Sequence, residues 1–462
     1  MNKNKNQRKH KVVEFDVLEQ INLNAAGLDI GAEEIYVAVP KGRDKESVQS
    51  FPTFTADLHR LASWLESCSV NTVAMESTGP YWIPIYEILE SRGFEVYLVN
   101  ARHIKNVSGR KTDVLDCQWI QQLHTYGLLE PSFRPPEQIC AIRSLVRHRE
   151  MLIKCRSSHI QHMQKALNLM NLKLTNVLSD ITGVTGMKII RAIISGEHNP
   201  EILASYRNQK CKHNEADIAK SLEGHYKREQ LFSLKQAVEL YDFYDQQLAD
   251  CDSELEKLYE EFEPRDGSSN KPPKKRTSKR RKNQPHFDLS ESLFRMVGID
   301  LTQVNGLDAL TVQDVLSEIG IDVSAWPTYK HLSSWLHLSP NNKVTGGKVK
   351  SSRTQPTQNR AALALRLAAQ SLARSDCALG AFYRRIRARS GAPKAITATA
   401  HKLARIIYSM LKYRRDYVDP GSNYYEEQYR KRAIRNLQRK ASKFGFRLEP
   451  TAVLDLDFAV VS

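Results

Sequence analysis

Four carboxylates stand out by position in this chain of 462 residues. Asp29 falls near the end of an apolar run, NAAGLDIG, two residues before Gly31. Glu76 closes a second short apolar run in AMESTGPYW. Asp113 and Asp116 lie three apart in KTDVLDCQW, so a helix there carries both on one face. Four carboxylates brought to one place cannot all stay ionised without a cation between them. Two Mg2+ ions roughly 3.5–4 Å apart would fill such a site and suit an in-line displacement at phosphorus. Each acid also has an ordinary reading. An Asp after a strand is commonly a turn residue, and an Asp pair at this spacing is commonly solvated, despite a repulsion of about a few tenths of a kcal/mol.

A second constellation occupies residues 338–360, LSPNNKVTGGKVKSSRTQPTQNR. Thr345 precedes two glycines among Lys343, Lys348, Lys350, Arg353 and Arg360, and Ser351 and Ser352 follow six and seven residues on. A hydroxyl on a glycine turn can approach a phosphodiester closely, and surrounding cations offset the charge that develops on phosphorus. The same letters also describe a plain β-hairpin in which Thr345 is a β-branched strand residue.

The elements that must position the acids are legible from periodicity. Residues 24–30 and 35–40 read as strands around the turn Gly31-Ala32-Glu33-Glu34, and a third strand fits residues 48–54. ADLHRLASWLES at 56–67 repeats its apolar residues at three and four, which predicts a helix. NTVAME at 71–76 is a short buried-type strand, a helix follows Pro80 from Ile83 to Ser91, EVYLVN at 95–100 is the fifth strand, and 112–126 returns to helix. Three meandering strands, then helix, strand, helix, strand, helix, is the order of a ribonuclease-H-like domain. In that topology the first and fourth strands are neighbours, and the last helix can face their ends.

Beyond residue 135 the pattern is helical. Residues 139–178 read as one long basic helix, or as two broken near Ser157-Ser158, and 227–263 is a second helical block whose imperfect heptads fit a hairpin or a partner helix. Residues 264–286 hold nine Lys/Arg, one acid and four prolines with no large aliphatic residue, which is the composition of a disordered basic linker. Helices are expected near 311–319, 328–337, 358–374 and 394–413. The divisions are therefore a basic tail at 1–22, an α/β domain at 23–135, a helical or coiled-coil region with an insertion at 136–263, the linker at 264–286, a mainly helical domain at 287–418 and a basic tail at 419–462.

Charge points to a polyanionic partner. Sixty-eight Lys+Arg against 52 Asp+Glu leave +16 at neutral pH, much of it in the linker and in YRKRAIRNLQRKASKFGFR at 429–447. Hydrophobic content of 41% excludes wholesale disorder, and no apolar window is long enough to span a bilayer. Seven scattered cysteines without a C-x-x-C pair give no zinc or redox motif and read as free thiols of an intracellular protein.

With these residues in view, the chain resembles the insertion-sequence-110 family of transposases, DEDD recombinases with a RuvC-like domain and a C-terminal serine-type transposase domain. The resemblance rests on GLDIG at 27–31, MESTGPYW at 75–82, VNARHIKNVSGRKTDVLDCQW at 99–119, and the stretch from VNGLDALTVQDVLSEIG through WLHLSPNNKVTGGK to NRAALALRLAAQSLAR at 359–374. It implies that Asp29, Glu76, Asp113 and Asp116 are the four metal-binding acids, and that Arg110 and Lys111 with the cations around Thr345 contact nucleic acid. The family's catalytic serine falls on Thr345, a departure that keeps the hydroxyl but adds a methyl restricting χ1. The resemblance also implies Mg2+, an element-encoded bridge RNA that pairs with target and donor DNA, a homo-oligomer, a covalent protein–DNA intermediate, and a prokaryotic cytoplasm near the nucleoid. A metal-dependent nuclease or junction resolvase, and a nucleic-acid-binding scaffold whose chemistry has decayed, are the competing expectations.

Overall fold

The computed structural model describes residues 19–77, 79–100, 113–265 and 283–449, with the backbone alone for residues 113–115. The chain divides into two compact units at Arg134/Pro135.

The first unit is a five-stranded mixed sheet with helices on both faces, the ribonuclease-H-like arrangement expected from the order of elements. Its strands are β1 (Ala25–Ile30), β2 (Glu34–Ala38), β3 (Val48–Pro52), β4 (Thr72–Glu76) and β5 (Glu95–Val99). They lie in the order β3-β2-β1-β4-β5. The first three form an antiparallel meander, whereas β4 and β5 run parallel to β1. Strand β1 is central and buried on both sides, so its near-continuous apolar run is the pattern that position requires. On one face Leu28, Ile30, Val73, Met75 and Leu98 meet Leu58, Leu61 and Leu65 of α1 (Thr55–Ser67) and Ile85 and Leu89 of α2 (Trp82–Ser91). On the other face α3 (Asp113–Thr125) lays Ile120 and Leu123 against Ala74 and Val99.

The second unit is helical apart from one hairpin. Two helices of 33 residues each, α4 (Glu137–Leu169) and α9 (Arg228–Glu260), lie antiparallel. The direction follows from their pairings: Arg149 with Asp252, Arg156 with Asp245, and His159 stacked on Tyr244. Helix α4 runs unbroken through Ser157-Ser158, because both hydroxyls donate to carbonyls four residues back instead of leaving the helix. It ends at Leu169. A small lobe of α5 (Leu174–Val177), α6 (Val184–Ile194), α7 (Pro200–Ser205) and α8 (Glu215–Ser221) connects the long pair. The lobe closes a core of its own with Met163, Leu167, Ile189, Ile190, Leu203, Ile218 and Leu234.

The rest of the unit holds α10 (Leu289–Val297), α11 (Ala309–Ile319), α12 (Tyr329–Trp335), β6 (Lys343–Thr345), β7 (Lys348–Ser351), α13 (Arg360–Ser371), α14 (Ala378–Ser390) and α15 (Ala392–Tyr413). Alanines on α13 (Ala361, Ala362, Ala368, Ala369) and on α15 (Ala395, Ala400, Ala404) are buried. Helix α11 is fixed to α4 by Arg143, which donates to the Ser317 and Glu318 carbonyls, and by Arg147, which grips the Glu318 carboxylate with two nitrogens. A final helix, α16 (Ser422–Lys443), stands where the sequence reads only as a basic tail. The expected linker is described only at its edges, since residues 266–282 lie outside the described ones.

Candidate active site

The expected acidic site sits at the carboxyl ends of two adjacent strands. Gly27 pairs with Ala74 and Leu28 with Met75, so Asp29 and Glu76 are the next neighbours along the parallel β1/β4 ladder. Side chains alternate across a sheet, so Asp29 shares the face of Gly27, and Glu76 that of Ala74. This is the face that α3 covers.

A glycine sets how closely α3 can come. A Cβ on Gly27 would lie 2.8 Å from the Gln121 Cα and closer still to the Gln121 nitrogen and the Cys117 carbonyl oxygen. With no side chain at 27, the helix backbone rests directly on the strand. The turn of α3 that precedes Cys117 then reaches the strand ends where Asp29 and Glu76 sit. Asp116 adjoins Cys117, and Asp113 lies one turn earlier. Electrostatics report the same juxtaposition. Burial pushes the Cys117 thiol up to about 12, and the negative charges of Asp29 and Asp116 add to that effect.

Asp29 and Glu76 thus lie at the ends of neighbouring strands on the face that α3 covers, Asp116 lies on the α3 turn beside Cys117, and the backbone of Asp113 opens that helix. The Asp113 side chain lies outside the described residues, as do Arg110 and Lys111. Among the described residues, no group of three or more His, Cys, Asp or Glu side chains is close enough to hold a metal ion. The donor chemistry nevertheless fits a hard divalent cation, for which carboxylate oxygens are the ordinary ligands.

The contacts that seat the far end of α3, at the start of β4, were not legible beforehand. His124 of α3 is fully buried, its Nε2 lies 2.8 Å from the Thr72 hydroxyl of β4, and its ring packs on Tyr97 of β5. Burial lowers its pKa to about 4, so the ring is neutral near pH 7. The glycine inside the first strand was the available signal for a close helix, because a strand interior rarely spends a glycine without a packing reason.

The hydroxyl expected on a glycine turn lies on a hairpin. Thr345 pairs with Lys348 across Gly346 and Gly347, whose φ values of +56° and +72° are those of a two-residue turn that favours glycine at both places. Val344 pairs with Val349 and Lys343 with Ser351, with the register shift between Lys343 and Val344. Paired residues share a face, so Lys343, Thr345, Lys348 and Ser351 occupy one side and the two valines the other. All three residues of β6 are exposed. Lys350 is exposed too, Ser352 follows the strand, and the Arg353 backbone N–H donates to the Ser351 hydroxyl. Arg360 is drawn elsewhere: it opens α13 and pairs with Glu150 of α4.

A ribonuclease-H-like sheet with acids on two neighbouring strand ends, and a helical unit with an exposed Gly-Gly hairpin, make up a protein of two parts. Comparison with known proteins agrees. Residues 26–172 match a transposase family model, that of the DEDD transposases of IS110 elements, and residues 300–384 match the model described as Transposase IS116/IS110/IS902 family. The two together cover half of the chain, and the chain belongs to the IS110 transposase family. Asp29, Glu76, Asp113 and Asp116 fall within the first match and Thr345 within the second. A DEDD transposase domain uses divalent metal, and a transposase acts on DNA. No curated protein matches the chain. Among the described residues no helix is long and apolar enough to cross a membrane.

Proposed function

We propose that this transposase cuts and rejoins DNA strands as an RNA-guided recombinase, using the acidic edge of the first unit and the hairpin hydroxyl of the second. What supports the reading is that Asp29 and Glu76 lie at the ends of neighbouring parallel strands and that the charges of Asp29 and Asp116 both act on Cys117 of α3. Asp29, Glu76, Asp113 and Asp116 would hold Mg2+, two ions in the fullest form. Bound there, the metal supplies charge stabilisation to a phosphodiester under attack.

The remaining chemistry falls to the chain itself. The Thr345 hydroxyl attacks phosphorus, an ester forms between its Oγ1 and phosphorus, and the bond to the leaving sugar oxygen breaks. That oxygen takes up the proton the hydroxyl gives up. Attack by the hydroxyl of a second strand reverses the step and frees Thr345. Lys343 and Lys348 share the hairpin face of Thr345 and offset the negative charge on the phosphate. Ser351 is on that face as well and is the alternative nucleophile, with Ser352 beside it. A bridge RNA, paired with target and donor DNA, would supply sequence choice, and a homo-oligomer would bring the acids of one subunit to the hydroxyl of another.

The test is a trapping reaction. Protein, RNA from the flanks of the element, and target and donor DNA are combined with Mg2+, denatured, and searched by mass spectrometry for a nucleotide-modified peptide. An adduct on Thr345 supports the recombinase, and one on Ser351 or Ser352 moves the nucleophile. Cleaved DNA without an adduct overturns the covalent step in favour of a nuclease that uses water. RNA and DNA binding with neither cleavage nor adduct favours a decayed scaffold.

A further inference from the structure

Helix α16 has a built attachment and a bare remainder. Its first turns are held to α14 and its surroundings: the Ser422 hydroxyl donates to Asp376 at 2.6 Å, and Arg385 pairs with Glu426. The same Arg385 guanidinium lies 3.3 Å from the Tyr429 ring centroid, and Tyr425 meets Phe382 edge-on. No residue of α16 is buried, although the helix runs 22 residues. From Gln428 to Lys443 it carries Arg430, Lys431, Arg432, Arg435, Arg439, Lys440 and Lys443 and not one acid. Among the described residues, Lys431 alone of these reaches a carboxylate, that of Glu427 one turn back.

The cations are ordered along the helix. Arg435, Arg439 and Lys443 follow at intervals of four and line one side, while Ile434, Leu437 and Ala441 line the side opposite. Packing does not explain a helix with this much like charge, since each cation repels the next and no core residue compensates. A polyanion on the cationic side removes the repulsion. The bare portion, fourteen residues from Arg430 to Lys443, extends about 20 Å at 1.5 Å per residue. A helix about 10–12 Å across enters the major groove of B-form DNA, whereas the deep, narrow major groove of A-form RNA does not admit it.

We propose that α16 is a DNA-binding arm that lies in the major groove of duplex DNA, with Arg435, Arg439 and Lys443 on the phosphates. The inference rests on the transposase reading and adds to it a substrate-holding surface made of residues outside both matched segments, none of them among the acids or the hairpin. Such an arm would keep the duplex bound through strand exchange without touching the reacting phosphate.

The test is equilibrium binding in EDTA, where no strand is cut, so the outcome is independent of the catalytic reading. A labelled DNA duplex is titrated with the full chain and with the triple variant Arg435→Gln, Arg439→Gln, Lys443→Gln, and Lys235→Gln, at an exposed lysine of α9, serves as control. Glutamine keeps helix propensity, and far-ultraviolet circular dichroism checks that the helix persists. Removing three phosphate contacts should reduce the log–log salt slope by about 2.7 and weaken binding on the order of a hundredfold near 0.15 M salt. The variant Arg435→Lys, Arg439→Lys should keep the slope, as should Lys235→Gln. An RNA duplex of the same length should bind the wild type and the triple variant alike. Equal losses on DNA and RNA duplexes overturn the groove placement. An unchanged DNA slope, with or without a loss of binding to phosphatidylserine vesicles or a change of oligomeric state, overturns the proposal itself.

Discussion

Gly27 of β1 lies so close under Cys117 and Gln121 of α3 that no larger residue fits: a Cβ there would stand 2.8 Å from the Gln121 Cα. The contact fixes the distance between a strand that carries Asp29 as its last residue but one and a helix whose first turn carries Asp113 and Asp116. Gly27→Ala should therefore push α3 away from the sheet. The expected cost is about 1–3 kcal/mol in stability, as for other overpacked cores. A displacement near 1 Å would lower strand cleavage on the order of 10²-fold. Urea denaturation and single-turnover cleavage measure the two effects. A variant as stable and as active as the wild type would show that α3 is not seated by this contact.

The acids and the hydroxyl should separate in a mutational series. Asp29→Ala, Glu76→Ala, Asp113→Ala and Asp116→Ala are each expected to abolish strand exchange while leaving nucleic-acid binding intact, read by gel assay and by anisotropy. Thr345→Ser keeps the hydroxyl and frees χ1, so it should retain the activity, whereas Thr345→Ala should remove it. Activity that survives any one acid replacement takes that residue out of the site.

His124 gives a pH dependence of definite sign. The unfolded ring takes a proton near its ordinary value of 6.5, and the buried ring only near about 4. Between those values the unfolded state binds more protons, so stability falls as pH drops from 6.5 towards 4 and then levels. The contribution is on the order of 3 kcal/mol. Denaturation midpoints followed from pH 7 to pH 4 should show the decline, and His124→Gln should lose that part of it. Parallel pH profiles for the two proteins would contradict the neutral buried ring.

Arg149 and Asp252 form the most enclosed ion pair described between α4 and α9, with side chains 7% and 1% exposed. Asp252 also accepts from the backbone N–H of His286. Asp252→Ala leaves Arg149 buried without its counter-charge and should cost about 3–5 kcal/mol. The double replacement Arg149→Met, Asp252→Leu should recover most of that loss, because it removes both desolvated charges together. Thermal unfolding of the three proteins tests it. A single variant no less stable than the double one would mean that water reaches the arginine.

Much of the first unit could be read from the chain because its signals are local. A strand buried on both faces is a short apolar run, so residues 24–30, 71–76 and 95–100 stand out, and β1, β4 and β5 occupy them to within a residue. The amphipathic repeat of residues 56–67 likewise became α1. Where elements are short or exposed, periodicity has nothing to report. Helices α5, α7 and α8 have four, six and seven residues, too few to show a repeat. The caps at Asn199 and Asn214, whose side chains accept from the first turns of α7 and α8, with Pro200 after the first of them, are start signals of helices too short to show a period. Helix α16 escaped notice for another reason. It buries nothing, so its pattern follows charge and not a core.

The same division holds for the candidate site. Residue types and spacing by themselves singled out Asp29, Glu76, Asp113 and Asp116 as acids able to bind metal, and placed a hydroxyl before a turn that needs two glycines. Which of these meet was a tertiary matter. Asp29 and Glu76 are 47 residues apart in the chain and become neighbours only through the parallel pairing of β1 with β4. Asp116 approaches them only because α3 can rest on a glycine. Arg360 stood among the hairpin cations in the sequence, yet in the fold it pairs with Glu150 of α4. Local chemistry is written in neighbouring residues; convergence depends on pairing register and on the clearance between a helix and a strand, and neither is a property of any single stretch of chain.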